Sequence, residues 1–345
     1  MLEYPRTIWA SADGTAWTKS ALPFTTSTSN GVELTAHANA IAGGPQGFVV
    51  VGAYDHTPCP NEQGAGGPPP CDRKPISWTS PDGRTWTSSI ENPIPADGSK
   101  LATYSEMVLI WAAASGWDVS VETRSSVMYQ GNTLLHSVDG LSWTRGVSPP
   151  IPAGADSGTG VNAHGGAGTP TGERVVWQFQ DVPTNVTLSS TEDGVAWSEI
   201  PAFDGTDGIV RFALAPQGID GGPWLLAGAR FINDAQVIVW WRSDDLVTWQ
   251  SGPMIPRGEP MQALFAVARE GGGFIALGSE DADSHPGRPS TWLSEDGMTW
   301  INAAEERGRA PMDGPMWLAH GPAGLIGIGT TEDGSTAWLG IDRTR

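Results

Sequence analysis

The sequence predicts an all-β protein of many short antiparallel strands, and three observations carry that expectation. The first is turn chemistry: 45 glycines and 28 prolines make up about a fifth of the 345 residues, against roughly 12 % in an average chain. The second is charge, with Asp, Glu, Lys and Arg together at only 17 %. Segments this poor in helix-favouring charged residues, and this often broken by Gly and Pro, read as strands and tight turns. The third is self-similarity at a period of roughly 50 residues, the mark of one supersecondary unit used repeatedly. A hydrophobic content of 39 % is enough to build a core, which excludes a disordered chain.

The repeated unit is Ser/Thr-x-Asp-Gly-x-x-Trp. It runs through Ser11, Asp13, Gly14 and Trp17, then Ser80, Asp82, Gly83 and Trp86, then Ser137, Asp139, Gly140 and Trp143. Thr191, Asp193, Gly194 and Trp197 follow, then a degenerate copy at Ser243, Asp245, Leu246 and Trp249, and then Ser294, Asp296, Gly297 and Trp300. A decayed seventh copy, Trp338 to Asp342, ends the chain. The motif specifies a hairpin turn. A short Asp side chain accepts hydrogen bonds from the turn's own amides, Gly supplies positive φ, and the Trp covers the turn. A second Trp stands four residues before the Asp at Trp9, Trp78, Trp241, Trp292 and Trp338, so the repeat accounts for most of the 17 tryptophans. A Trp-rich sugar-binding surface is therefore not needed to explain them.

This motif resembles the Asp-box, or BNR repeat, of sialidases and related β-propellers. The resemblance implies a propeller with the boxes between the third and fourth strand of each blade, on the face away from any active site. It also implies that Asp13, Asp82, Asp139, Asp193, Asp245 and Asp296 are not catalytic.

Between boxes the chain alternates apolar strands with Gly/Pro turns, as in Asn39–Ala42, GGPQG and Phe48–Gly52. Counting these gives six inner strands, starting near residues 35, 104, 160, 209, 262 and 315. A six-bladed antiparallel β-propeller follows, one domain over residues 1–345, closed by N- and C-terminal strands in one blade. Seven blades is the alternative if the two chain ends serve different sheets. Closure removes the exposed sheet edges that an open stack would leave.

The formal net charge is −19. So acidic a surface repels phosphate backbones and excludes nucleic acid as the expected partner. No apolar run approaches the roughly 18 residues of a membrane span, so no membrane insertion is expected, and residues 1–30 show no basic-then-apolar leader. Cys59 and Cys71 sit in the Gly/Pro-rich segment CPNEQGAGGPPPC without a neighbouring His. The reading preferred is a local disulfide and an oxidising compartment, extracellular or cell-envelope; two reduced thiols are the alternative. Asp-box propellers as a family support export.

Candidate site residues come from polar positions that the blade pattern does not demand. Counting back from the second strands places His37, Glu106, His164 and Arg211 at similar heights, with Tyr104 close by and Arg124 and Arg230 on loops of the same face. Ligand contacts are therefore expected from Tyr104, Glu106, Arg124, His164, Arg211 and Arg230. His37, Glu106 and His164 are of the types that hold a divalent metal; otherwise no cofactor is expected. Sialidase-like arginines would grip a carboxylate bidentately, but Tyr4-Pro5-Arg6-Thr7-Ile8 departs from the family's Phe/Tyr-Arg-Ile-Pro segment, so a sialidase proper is not expected. Asp204–Gly208 and Glu280–Asp283 have the look of calcium loops without a full ligand set. The expected function is a monomeric glycan- or protein-binding module. The alternative is an enzyme at the channel mouth, either a glycoside-directed hydrolase or lyase or a metal-dependent one.

Overall fold

In the computed structural model the chain forms antiparallel β-sheets. The structure describes residues 7–10, 18–23, 33–57, 74–89, 104–113, 115–124, 129–147, 149, 162–169, 173–179, 186–201, 209–215, 223–232, 235–253, 255–257, 263–270, 273–279, 289–302, 314–321 and 324–330. Strands β1 (Thr7–Ala10) and β2 (Thr18–Ala21) pair with each other. Sheet one holds β3 (Glu33–Gly44), β4 (Gly47–Thr57), β5 (Lys74–Ser80) and β6 (Thr87–Ser88). Sheet two holds β7 (Tyr104–Ala113), β8 (Gly116–Arg124), β9 (Tyr129–Ser137) and β10 (Thr144–Arg145). Sheet three holds β11 (Asn162–Gly168), β12 (Arg174–Phe179), β13 (Val186–Thr191) and β14 (Ser198–Glu199).

Sheet four holds β15 (Ile209–Ala215), β16 (Trp224–Ile232), β17 (Ala235–Ser243) and β18 (Gln250–Pro253). In sheet five, β19 (Ile255–Arg257) lies parallel to β23 (Thr299–Asn302), outside β20 (Ala263–Glu270), β21 (Gly273–Ser279) and β22 (Pro289–Ser294). The sixth sheet consists of β24 (Gly314–Gly321) and β25 (Gly324–Thr330). Each four-stranded sheet is a meander in which every strand pairs with the next in sequence. The inner strands touch in cyclic order: β3 meets β7, β7 meets β11, β11 meets β15, β15 meets β20, β20 meets β24, and β24 returns to β3. β1 lies against β25.

The repeated turn has one geometry wherever it is described. Asp82 Oδ1 accepts the amides of Arg84 and Thr85 at 2.9 Å each and the Ser80 hydroxyl at 3.1 Å. Asp139, Asp193, Asp245 and Asp296 accept the equivalent three donors. The backbone amides hold the carboxyls of Asp82, Asp193 and Asp245 below the ordinary range, Asp245 down to about 2. At Asp139 and Asp296 burial pushes the other way, and the turn amides outweigh it. The first copy and the decayed last one lie outside the described residues. Among the described residues β23 is the only fourth strand that contains its box Trp. In the first, fourth and fifth sheets that indole instead turns back to donate to the carbonyl of the turn residue three before it.

The core lies between sheets. Val49 and Val51 of sheet one pack with Trp117, Val119 and Trp143 of sheet two. Leu226 and Trp241 of sheet four meet Val175 and Leu188 of sheet three. Trp240 of sheet four stacks on Trp300 of sheet five, ring centroids 4.2 Å apart. Ala319 and Ile326 of sheet six pack with Ile41, Val50 and Trp78 of sheet one, joined by Leu22 just after β2. Sheets packed face to face in this way bury both faces, which is why successive strands read as nearly continuous apolar runs.

Candidate functional site

The box turns give a ruler for aligning the sheets. Three residues before each box Asp stand Thr79, His136, Ser190, Arg242 and Leu293, and these pair with Val49, Asp118, Val175, Leu225 and Ile275 on the second strands. Four residues further along those strands are Ala53, Glu122, Phe179, Ala229 and Ser279. Their partners on the inner strands are His37, Glu106, Asn162, Arg211 and Ala263. In sheet six the two-residue hairpin sets the same count, and Gly314, opposite Thr330, falls at this level. One level of the inner-strand ring therefore reads His37, Glu106, Asn162, Arg211, Ala263, Gly314. Four polar positions on consecutive strands are followed by two small ones.

This level lies far from the boxes. Phe48 opposes Ser80 at the box end of sheet one, and Ala53, opposite His37, is five residues on. At the usual rise per residue that is about 17 Å along the strand.

His37, Glu106 and Arg211 thus stand level, as the sequence suggested, but His164 does not. It is the bulged residue between Ala163 and Gly165, two positions nearer the box end, and Asn162 takes its place in the ring. The cause is the longer connection in sheet three. Residues 169–173 separate β11 from β12, whereas two residues close the first hairpin, so a count from the second strand slips. The bulge itself is shared, at Ala38/Ala40 in sheet one and Met107/Leu109 in sheet two, so it shifts all three strands alike. The set His37, Glu106 and His164 accordingly spans two levels.

Arg124 and Arg230, expected on loops, are strand residues near the ends of β8 and β16. Arg124 is directly opposite Tyr104, and Arg230 opposite Ile209, two positions from Arg211 on the same inner strand. Glu106 and Glu122 are cross-strand partners. Sequence reasoning missed Asn162 and Glu122; the signal for both was the fixed distance to the box Asp along the second strand. Cys59, Cys71 and both acidic loops, Asp204–Gly208 and Glu280–Asp283, lie outside the described residues. Among the described residues no helix is long and apolar enough to cross a membrane.

No protein-family model matches the sequence, and no curated protein matches it. Among solved structures the chain is similar to a protein of unknown function from Dyadobacter fermentans DSM 18053. That match has 14 % identity and a TM-score of 0.53, over 88 % of this chain and 94 % of that one. It is also similar to the lectin of Aleuria aurantia, a six-bladed β-propeller. A single-site mutant of that lectin in complex with Fucα1-6GlcNAc aligns with 12 % identity and a TM-score of 0.52, over 90 % of this chain and 97 % of that one. At such identities the likeness is one of fold.

Proposed function

We propose that the chain is a single-domain, closed six-bladed β-propeller of the Asp-box type, in which β1 and β2 complete the sheet begun by β24 and β25. In this reading it is exported, acts as a monomer and binds a glycan at the end of the inner strands opposite the boxes. The cyclic contacts of the inner strands support closure, and so do β1 beside β25 and Leu22 packed with Ala319 and Ile326.

The observation that carries the binding site is the ring level His37, Glu106, Asn162, Arg211, Ala263, Gly314. A regular scaffold needs no such side chains there, and a site on one arc takes a single ligand off the axis rather than six equivalent ones. Acid, amide, imidazole and guanidinium together supply the donors and acceptors that a polyhydroxylated ligand requires. A glycan is favoured because the Aleuria lectin, which shares the fold, is seen with a fucosylated disaccharide. Binding of the whole chain to an array of neutral and acidic glycans, followed by calorimetry on the hits, tests the reading. No glycan bound above background by the native protein overturns it.

A second reading, glycoside hydrolysis, is favoured by one feature. Glu106 and Glu122 stand opposite each other on adjacent strands, and carbon–oxygen bond cleavage in sugars is commonly run by two neighbouring carboxyls. Turnover of nitrophenyl glycosides that Glu122→Gln abolishes would select it. The metal-dependent version gains no support from the register, because His164 is displaced from His37 and Glu106.

A further inference from the structure

At the box end of sheet two, three side chains form a line that the propeller scaffold does not call for. Asp118, on β8, is 1 % exposed, and its Oδ1 lies 2.7 Å from Nδ1 of His136, its cross-strand partner on β9. His136 is partly exposed at 24 %, and its Nε2 lies 3.5 Å from Oγ of Ser115, which is exposed in the hairpin between β7 and β8. The positions equivalent to Asp118 in the other sheets are Val49, Val175, Leu225 and Ile275; those equivalent to His136 are Thr79, Ser190, Arg242 and Leu293. An apolar residue on the second strand is the rule there, so a buried carboxylate is a departure with a cost that its partner must offset.

The placement is rigid. Asp118 and His136 are held by the β8–β9 ladder, and Ala113 opposite Gly116 leaves a two-residue hairpin that carries Ser115. Gly116 has φ of +142°, and a Cβ there would meet the Ser137 carbonyl oxygen and, at 2.7 Å, Val138 Cα. The hairpin is thereby pressed onto the end of β9, next to His136.

We propose that Ser115, His136 and Asp118 constitute a nucleophilic acyl-transfer site for small carboxylic esters, separate from the inner-strand ring. The carboxylate at Nδ1 fixes the imidazole tautomer and leaves the Nε2 lone pair toward the serine hydroxyl. Ser115 Oγ adds to the ester carbonyl as its proton passes to Nε2. The ester C–O bond then breaks, the alcohol leaves with that proton, and water, deprotonated by Nε2, hydrolyses the acyl-serine and returns the hydroxyl. At 3.5 Å the Ser–His separation is longer than a working nucleophile–base pair, a looseness common before substrate binds. Exposure increases from Asp118 through His136 to Ser115, so the reacting oxygen is the one that solvent-borne esters reach.

The test uses the full chain with a fluorophosphonate, which phosphonylates activated serines, and with p-nitrophenyl acetate. Mass spectrometry should place the label within residues 101–124, the tryptic peptide that holds Ser115. Ser115→Ala, an exposed turn substitution, should abolish the label and lower ester turnover at least tenfold at unchanged melting temperature. His136→Gln should also abolish the label, with a lower melting temperature because buried Asp118 loses its partner, and Asp118→Asn should slow labelling and change the shape of its pH profile. No label on the native protein, a label elsewhere, or turnover equal in native and Ser115→Ala protein would overturn the proposal and leave Asp118–His136 a structural pair within sheet two. Glycan binding is read separately, so failure here leaves the ring reading intact.

Discussion

The indole N–H of Trp143 donates to Ser77 Oγ at 3.0 Å, a buried bond between sheets two and one across 66 residues of chain. Ser77 Oγ in turn donates to Ser89 Oγ at 2.9 Å, and Ser89 Oγ also accepts the Ser77 amide. The box Trp therefore does more than cover its own turn; it fastens one sheet to the next. Ser77→Ala strands a buried indole N–H and should cost about 1–3 kcal/mol. A double-mutant cycle with Trp143→Phe, read by urea denaturation, should return a coupling of about 1 kcal/mol. Strict additivity would mean that the bond contributes nothing.

The same interface fixes the turn glycine. Gly140 has φ of +73°, and a Cβ there would lie 2.5 Å from Val49 Cγ2. Gly140→Ala should therefore lose about 1–3 kcal/mol by crowding, beyond the conformational cost. The fourth sheet solves the same problem differently: Leu246 holds φ of 60° and is 5 % exposed, packed among residues of sheets three and four. Leu246→Gly should relieve roughly 1 kcal/mol of left-handed strain. It forfeits about 1.5–3 kcal/mol of burial. The net change in denaturation should be destabilising, and a stabilised Leu246→Gly would refute this account.

The box carboxyls predict an acid limb. The folded carboxyl of Asp245 titrates near 2, below its unfolded value of roughly 3.9. A depressed folded value means that the stabilisation is fully present above the unfolded value and disappears as pH falls toward the folded one. Asp82, Asp139, Asp193 and Asp296 shift in the same direction. Melting temperature should therefore fall from about pH 4 to pH 2, and Asp245→Asn should flatten that slope. A parallel slope in the variant would assign the acid sensitivity to other groups.

How much of this was legible beforehand is clear from particular residues. Inner strands expected near residues 35, 104, 160, 209, 262 and 315 begin at Glu33, Tyr104, Asn162, Ile209, Ala263 and Gly314. Turn chemistry is local, and local chemistry survives in a sequence. The placing of His164 fails because the longer hairpin of sheet three is a change of count that periodicity does not register, whereas the bulge beside it is common to sheets one and two. Arg124 and Arg230 were misplaced because pairing carries β8 and β16 beyond their apolar stretches. β19 was invisible for a similar reason: it forms only because β23 offers an edge. Asp118 and His136 stand 18 residues apart, and nothing short of the strand pairing brings them together.

Cys59 and Cys71 yield a direct chemical prediction. If the segment between β4 and β5 closes as a disulfide in an oxidising compartment, protein isolated without reductant and then denatured should show no reactive thiol. After reduction it should show two. Two thiols reacting before reduction in freshly isolated protein would remove both the bridge and the main support for export.

The ring level makes the sharpest functional prediction, because it separates residues that the sequence grouped together. His37, Glu106 and Arg211 share a level, whereas His164, bulged between the rungs of Ala163 and Gly165, is about 5 Å nearer the boxes. Glu106→Gln, His37→Ala and Arg211→Ala should each weaken glycan binding about tenfold or more, equivalent to roughly 1.4 kcal/mol, with melting temperature nearly unchanged. Asn162→Ala should join them, although no sequence motif marks it. His164→Ala should have a smaller effect on affinity than any of the four. Asp139→Ala, at the opposite end of its sheet, should instead lower stability through the lost turn bonds and leave affinity intact wherever the protein is folded. Should calorimetry find His164→Ala more damaging than Asn162→Ala, the ligand sits deeper in the ring than this level. Should Asp139→Ala abolish binding in folded protein while the ring variants stay silent, the site is on the box end instead.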